Sequence, residues 1–369
     1  MKRILTLFVV LLFLATGAAL AQNELPLLSE LHDGWNVIKT DGQCSTGTPH
    51  QFYVRPSKRS EKLLIYFNGG GACWFGKQCD LKSKPNTHFP FAEMEQNDPR
   101  SMDGIFALGN DENPFADYDM VFLPYCTGDV HVGGGKMDYT YTSSDGKSVT
   151  VPTYHVGYKN STMVLNWVYD NIRSPEQILV AGSSAGAIGS SFYSGLIAAH
   201  YANVPVTLIA DAAGGYNSPR LPRVFNAWNT ASILPDWKEY KGKTNDNLTF
   251  ENFYIASANH NNNLTIAQYN AANDKTQVNF TLLLGDPPES FSLPERILHH
   301  YTEIESAVDT FYSYTAGGDV HTILRSPIFY TYTFEGVRFV DWVADLVAGK
   351  PVGDISCVDE PGGCAVAPE

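Results

Sequence analysis

The sequence predicts an α/β protein with a mostly parallel sheet and helices on both of its faces. The evidence is a series of short apolar runs bounded by turn residues, alternating with segments whose apolar residues have helical spacing. The runs that indicate buried strands are Leu63–Phe67, Met120–Leu123, Gln177–Ala181, Val206–Ala210, Leu264–Tyr269 and Thr310–Thr315. The helical segments are Thr162–Ile172, Ala185–Ala202 and Val337–Ala348. No linker that would separate two domains is visible.

The first residues indicate a targeting segment. Lys2 and Arg3 precede an apolar stretch, and Ala19-Leu20-Ala21 is a small-residue cleavage site. We therefore expect residues 1–21 to be a signal peptide and residues 22–369 to form one domain that is secreted, periplasmic or extracellular. The alternative is an uncleaved anchor, because the apolar stretch is near the lower length limit for crossing a bilayer. No later segment is long and apolar enough to span one.

Composition and charge argue against several classes of protein. Hydrophobic residues make up 44% of the chain and charged residues 17%, which is not the composition of a disordered protein. The net charge of −14 does not attract phosphate backbones, so no nucleic acid partner is expected.

The chain has six cysteines, an even number behind a signal peptide, which suggests three disulfide bonds. Six cysteines allow fifteen connectivities. Short sequence separations favour two pairs and leave a third: Cys73–Cys79, Cys357–Cys364 and Cys44–Cys126. None of the cysteines has a metal-site spacing, so we expect no metal.

Three long segments are rich in Gly, Pro, Asn and Asp and are expected to be irregular. They are Phe75–Asn113, Thr127–Val156 and Gly214–Asn263. Long loops of this kind are uncommon unless they are functional. We expect insertions above the sheet that shape a substrate pocket.

Gly182-Ser183-Ser184-Ala185-Gly186 is a G-x-S-x-G motif between the strand Gln177–Ala181 and a helix of small residues. This strand–turn–helix setting is typical of a nucleophile elbow, in which the serine hydroxyl is held above the sheet edge. Ser184 is therefore the candidate nucleophile. The amide of Ala185, at the start of the helix, is a candidate donor to a developing oxyanion. The alternative is a Gly/Ser turn without catalytic function.

A second glycine motif follows the strand Leu63–Phe67. Asn68-Gly69-Gly70-Gly71 is similar to the loop that supplies the other oxyanion donor in lipases and esterases. Gly70 and Gly71 are the candidate donors. The alternative is a tight turn fixed by a Cys73–Cys79 bridge, and the two interpretations are compatible. A phosphate loop is disfavoured because no Gly-Lys-Ser/Thr follows.

A nucleophilic serine needs a histidine base, and in this arrangement the base comes last in the chain. His321 is favoured because it lies in a loop after the strand Thr310–Thr315. His200 ends the helix after the elbow, where it can complement the helix dipole. His299 and His300 lie in a predicted helix after Pro294, and a surface position is expected for both.

The base in turn needs an acid that orients it. Asp274 is favoured because it follows the strand Leu264–Tyr269, in the position that the order serine, acid, histidine requires. Asp211, at the end of Val206–Ala210, is the runner-up. Asp286 and Asp319 are weaker candidates.

These motifs belong to a longer series of ordered blocks, which resembles the pectin acetylesterase/Notum family of α/β-hydrolases from about Trp35 to Leu324. The blocks are Cys44, Asn68–Cys73 with Cys79, Leu123–His131, Gly182–Gly186, Asn273–Gln277 and Gly317–Leu324 around His321. The resemblance implies a triad, oxyanion donors and two disulfides: Ser184, Asp274 and His321; Gly70, Gly71 and Ala185; Cys44–Cys126 and Cys73–Cys79. Asp129 and His131 fall in a family-like block, where a structural turn that supports the glycine loop is the preferred interpretation.

The chain also departs from the family pattern. Plant and animal members usually carry a Glu where this chain has Asn68, and they have more than six cysteines. The insertions that form the pocket do not align, so the reaction class carries over better than the substrate.

The resulting functional prediction is a serine carboxylesterase that needs no cofactor, with an O-acetylated cell-wall polysaccharide as the first candidate substrate. A short-chain or fatty-acyl ester is the second, which would make the protein a lipase-like deacylase. The family includes both polysaccharide deacetylation and removal of a fatty acyl group from a protein serine. From another class, the alternative is a catalytically silent carbohydrate- or ligand-binding protein on the same fold. A protease would require an extended peptide cleft.

Overall fold

A nine-stranded sheet forms the centre of the computed structural model, which describes residues 25–57, 61–84, 86–287, 292–358 and 364. The predicted signal peptide, residues 1–21, lies outside the described residues. The strands in chain order are β1 Asn36–Gln43, β2 Pro49–Arg55, β3 Lys62–Phe67, β4 Asp119–Leu123, β5 Gly135–Thr142, β6 Ser148–His155, β7 Gln177–Ser183, β8 Val206–Asp211, β9 Leu264–Ala271, β10 Phe311–Ala316, β11 Thr333–Phe334, β12 Val337–Arg338 and β13 Ile355–Ser356.

The strand order of the large sheet is β1-β2-β4-β3-β7-β8-β9-β10-β13. Strand β2 is antiparallel to both of its neighbours, and the pairs from β4 to β13 are parallel. All six predicted strands lie in the parallel part. The predicted α/β class with a mostly parallel sheet is therefore confirmed.

Helices cover both faces of this sheet. They are α1 Gly76–Cys79, α2 Gly157–Asn171, α3 Ala185–His200, α4 Leu221–Trp228, α5 Glu251–His260, α6 Lys275–Leu284, α7 Leu293–Glu305 and α8 Phe339–Val347. Strand β3 shows how the two cores are separated, because Ile65 belongs to the core under α2 and α3, whereas its neighbours Leu64 and Tyr66 belong to the core under α8. Among the described helices, none combines the length and apolar character needed to cross a bilayer.

The segments predicted to be irregular contain regular structure, so that prediction was wrong; in Phe75–Asn113 it is limited to α1 and short 3-10 turns. Thr127–Val156 contains the antiparallel hairpin of β5 and β6, and Gly214–Asn263 contains α4 and α5. The hairpin alternates exposed residues with half-buried ones such as Tyr139, Tyr141 and Val151, and only Thr153 and His155 near its end are buried. Such a pattern gives a weak signal, because neither face is fully buried.

All six cysteines are paired: Cys44–Cys126, Cys73–Cys79 and Cys357–Cys364. These are the three pairs named from the sequence. The first joins the region after β1 to the end of β4, and the second closes the short segment after the glycine motif.

The carboxyl ends of β3 and β7 meet at very short range, and glycines make this possible. A Cβ on Gly186 would lie 2.0 Å from the carbonyl oxygen of Phe67, and a Cβ on Gly69 would lie 2.2 Å from that of Ser183. No side chain fits at either position without a shift of the backbone. The glycine motif after β3 is thus packed directly on the turn after β7.

We predict that Gly186→Ala lowers the free energy of unfolding by about 1–3 kcal/mol, as expected for overpacking against backbone. Gly109→Ala is the matched control, because a Cβ there has no neighbour within 4 Å. Chemical denaturation of both variants measures the difference. Equal stability of the two variants would show that the contact is not a constraint.

Four histidines are buried around the segment that follows β4, and burial lowers the pKa of each. The pKa falls to about 3 for His50 and His155 and to about 4 for His88 and His131. Two of these rings form hydrogen bonds to backbone carbonyls. His131 Nε2 lies 2.9 Å from the carbonyl oxygen of Asn68, and His155 Nδ1 lies 3.0 Å from the carbonyl oxygen of Thr127. The folded protein therefore keeps these imidazoles neutral well below pH 6.

We predict that acidification from pH 7 to pH 5 lowers the stability of the protein. The unfolded histidines have a pKa of about 6.5. As the folded values are lower, the unfolded chain binds more protons between pH 4 and pH 6.5, and stability is lost as the pH falls through this window. Asp129 opposes this effect, because burial raises its pKa to about 6. Calorimetry in buffers of different ionisation enthalpy should show a net uptake of about three protons on unfolding at pH 5.5. Proton release would contradict the prediction.

Candidate functional site

Ser184 lies at the turn between β7 and α3 in a strained backbone conformation. Its φ is +55° and its ψ is −122°, values that a residue with a side chain rarely adopts and that cost about 1–3 kcal/mol. The turn is held because the Ser184 amide donates to the carbonyl of Asp211 at 2.7 Å, and the Ser184 carbonyl accepts from Ala187 at 2.9 Å. The residue as a whole is 8% exposed. A strained turn between a strand and a helix is the geometry that a nucleophile elbow requires.

Asp274 and His321 are joined by a hydrogen bond of 2.6 Å between Oδ2 and Nδ1. Asp274 is fully buried and caps α6, since its Oδ1 accepts from the amides of Thr276 at 2.8 Å and Gln277 at 3.1 Å. The His321 side chain is 20% exposed. With Nδ1 engaged by the carboxylate, Nε2 is the ring nitrogen left to exchange a proton.

The structure gives the other acid candidates different partners. Asp286 binds Arg296 at 2.8 Å, and Asp319 forms an exposed ion pair with Lys275 at 2.9 Å. Asp211 is buried, and its carboxylate accepts backbone amides just after His321 rather than the ring nitrogen. Of the four acids considered, only Asp274 has a hydrogen bond to the ring of His321 among the described contacts.

The expected surface position of His300 was wrong. Its side chain is 1% exposed and bonds Glu251 of α5 through Nδ1 at 2.6 Å. His299 is exposed, as expected. His200 stacks on Tyr169 with ring centroids 3.7 Å apart. Neither His200 nor His300 has a described contact with the residues of the elbow.

The backbone amides of Gly70, Gly71 and Ala185 have no acceptor among the described hydrogen bonds. The glycine segment is fixed by its neighbours instead, since Ala72 donates to the carbonyl of Thr87 at 2.9 Å and Phe89 donates to that of Gly70 at 2.8 Å. Gly71 has a φ of +76°, and a Cβ on it would lie 1.9 Å from the Thr87 oxygen. Rigid amides without a partner are suited to bind a developing negative charge.

Asp129 and His131 lie behind the glycine segment and have structural contacts. The Asp129 carboxylate accepts from the Thr127 hydroxyl at 2.5 Å and from the amides of His131 at 3.1 Å and Gly157 at 2.8 Å. The ring of His131 in turn holds the Asn68 carbonyl. These contacts fit the interpretation that the pair supports the glycine loop.

Asn68, where family members usually carry a Glu, is buried in a site that requires an amide. Its Nδ2 donates to the Gln96 carbonyl and to Asn97 Oδ1, both at 2.8 Å, and its Oδ1 accepts from Arg325 at 3.0 Å. A carboxylate accepts hydrogen bonds but does not donate them, so it would leave the Gln96 carbonyl without this donor, whereas Asn97 Oδ1 would keep the Tyr125 amide at 2.9 Å. The departure from the family pattern is therefore matched by its surroundings.

An apolar pocket, part of it open to solvent, adjoins Ser184. Ser184, Ala185 and Gly71 line it together with Ala72 and Val130. The remaining walls are large apolar side chains, namely Trp74, Ile188, Tyr216, Val224, Trp228, Phe250, Phe280 and Leu284. Sequence reasoning missed these residues, because they come from separate parts of the chain and carry no motif.

The described residues contain one group with ligand atoms close enough to hold a metal ion: Cys73, Cys79 and His155. The two sulfurs form a disulfide bond and are not thiolates, so they do not fit a metal ion. The group carries no metal chemistry.

The pectinacetylesterase family model matches residues 31–220 of the chain, which include β1 to β8 and Ser184. Similar curated proteins are the palmitoleoyl-protein carboxylesterases NOTUM of Mus musculus, 26% identical over 183 residues, and of Schmidtea mediterranea, 29% identical over 160 residues. These matches cover 48% and 41% of this chain, and 34% and 27% of the relatives.

An inactive palmitoleoyl-protein carboxylesterase, notum1b of Danio rerio, is 30% identical over 91 residues, which are 24% of this chain and 65% of the relative. Similarity to these proteins therefore does not by itself establish activity. The family model, however, spans more than half of the chain. The chain belongs to the pectinacetylesterase family.

Proposed function

We propose that this protein is a carboxylic ester hydrolase with Ser184 as its nucleophile. The observation that carries the proposal is the shared pocket: a serine at a strained elbow lines the same cavity as the Gly71 and Ala185 amides, which have no described acceptor. The His321–Asp274 hydrogen bond supplies the second element, an oriented base. A nucleophile, a base, an acid and oxyanion donors together constitute the machinery of acyl transfer.

In the proposed reaction, His321 Nε2 takes the proton of the Ser184 hydroxyl as Oγ attacks the ester carbonyl. Asp274 holds the ring orientation and stabilises the imidazolium that forms. The amides of Gly70, Gly71 and Ala185 bind the oxyanion of the tetrahedral intermediate. The imidazolium then protonates the leaving alcohol, and a water molecule releases the acid from Ser184 in the same two stages.

The acyl group of the substrate is proposed to enter the apolar pocket. Its walls beyond the glycine motif are aromatic and aliphatic side chains, which favour an acyl group with several methylenes over acetyl. An O-acetylated cell-wall polysaccharide was the first candidate from the sequence, and the lining now gives a reason to place a longer acyl ester ahead of it. The names of the NOTUM relatives, which specify a palmitoleoyl group, agree with this order.

We also propose that the protein acts outside the cytosol. Three disulfide bonds are typical of proteins in oxidising compartments, and the sequence predicts a signal peptide.

We predict that Ser184→Ala lowers the kcat for p-nitrophenyl esters by at least about a thousandfold, because the nucleophile is lost. Ser194→Ala is the matched control: Ser194 is also a buried serine, but its hydroxyl bonds within α3, to the carbonyl of Ser191. The measurement is the hydrolysis of esters from acetate to palmitate by both variants and the natural protein. An inactive natural protein would favour the binding-protein alternative, and casein cleavage that depends on Ser184 would favour a protease.

Filling the pocket is predicted to change the preferred chain length. Val224 is buried in the pocket wall, so Val224→Phe should lower kcat/KM for octanoate by about tenfold while leaving acetate within about threefold. The reason is that each buried methylene contributes up to about 0.8 kcal/mol to acyl binding. Acetate hydrolysis by the same preparation serves as the control for folding. A parallel loss for both esters would show that the acyl chain does not occupy this pocket.

A further inference from the structure

Asp211, at the end of β8, contacts two segments at the same time: the elbow at Ser183 and Ser184, and the segment Gly317–Leu324 around His321, which is called the histidine loop below. Its Oδ2 accepts from the Ser183 hydroxyl at 2.6 Å and from the Leu324 amide at 3.0 Å, and its Oδ1 accepts from the Ile323 amide at 3.1 Å. Its backbone carbonyl accepts from the amide of Ser184. One buried residue thus links the nucleophile turn to the residues directly after His321.

The histidine loop needs such a link because its backbone is strained at the point of attachment. Thr322, between His321 and Ile323, has a φ of +69°. A residue other than glycine keeps this conformation only when its surroundings enforce it. The two amide bonds to Asp211 follow this residue immediately.

The donors around Asp211 match an ionised carboxylate. Tyr66 donates to the Ser183 oxygen at 2.6 Å, and this leaves the Ser183 proton for Asp211. Burial raises the pKa of Tyr66, so the phenol stays protonated and keeps donating. Burial raises the pKa of Asp211 overall, and the bonds from Ser183, Leu324 and Ile323 offset part of that rise. An ionised carboxylate only accepts hydrogen bonds, and the three groups that contact the Asp211 carboxylate are all donors.

We propose that Asp211 is a positioning residue that fixes His321 relative to Ser184. The inference rests on the proposed hydrolysis, because it assigns Asp211 a part in the same site. Asp211 acts through the backbone of the histidine loop, and Asp274 remains the partner of the ring.

Asp211→Asn is the informative substitution, because it keeps the size of the side chain. An amide has one acceptor oxygen, and its NH₂ group would face the Ile323 amide in one orientation and the Leu324 amide in the other. At least one loop amide then loses its acceptor. We expect kcat per active site to fall at least about tenfold, with KM within about threefold, because substrate binding is left in place. Active sites are titrated with a phosphonate that labels Ser184.

A second measurement does not depend on activity. The hydrogen-exchange rates of the Ile323 and Leu324 amides measure directly how firmly the histidine loop is held. We expect these rates to rise at least about tenfold in Asp211→Asn. Asp119→Asn is the control: Asp119 lies at the opposite end of the parallel strands and accepts the amide of Ser57 at 2.6 Å. Neither kcat nor exchange at Ile323 and Leu324 should change in it.

The outcomes separate the two proposals. Unchanged kcat per titrated site in Asp211→Asn, or unchanged exchange at both amides, overturns the positioning role. A fall in both kcat and protection in Asp119→Asn as well would show a general loss of stability and would also overturn it. If the natural protein hydrolyses no ester, the proposed function fails, and the exchange experiment still decides whether Asp211 holds the loop.

Discussion

The contact between the segment Asn68–Gly71 and the turn at Ser184 is the constraint on which the site depends. The two backbones meet at distances that exclude a side chain at Gly69 and Gly186, and this closeness brings amides from both segments to one pocket. Residues outside the two segments stabilise this contact. The Asn68 carbonyl bonds the ring of His131, and the Asn68 side chain bonds Arg325, which follows the histidine loop.

Much of the site could be predicted because its residues follow strand ends in a fixed order. A G-x-S-x-G motif between an apolar strand and a helix predicts an elbow, so the candidate Ser184 could be found from local sequence. Asp274 and His321 are 47 positions apart, yet both follow parallel strands, and the carboxyl ends of such strands lie at one edge of the sheet. The structure brings these two side chains into contact.

The features that sequence reasoning missed depend on contacts between distant parts of the chain. His300 bonds Glu251, 49 positions earlier. Helical spacing places it on the buried face of α7 with Ile297 and Ile304, unlike the exposed His299, but the pairing with Glu251 cannot be read from that spacing. The pocket walls come from α3, α4, α6 and several loops. Each of these elements contributes apolar residues that would be expected in any buried helix or loop, so none of them indicates a pocket. Hairpin β5–β6 was missed because neither of its faces is fully buried.

The bond between Cys44 and Cys126 spans 82 positions and encloses all of the irregular chain between β3 and β4. A protease that cuts once between Cys79 and Cys126 would therefore leave two fragments joined by a covalent bond. Such a nicked protein would migrate as one species in a non-reducing gel and separate only after a reductant is added. Apparent integrity in a non-reducing gel is thus no measure of an unbroken backbone.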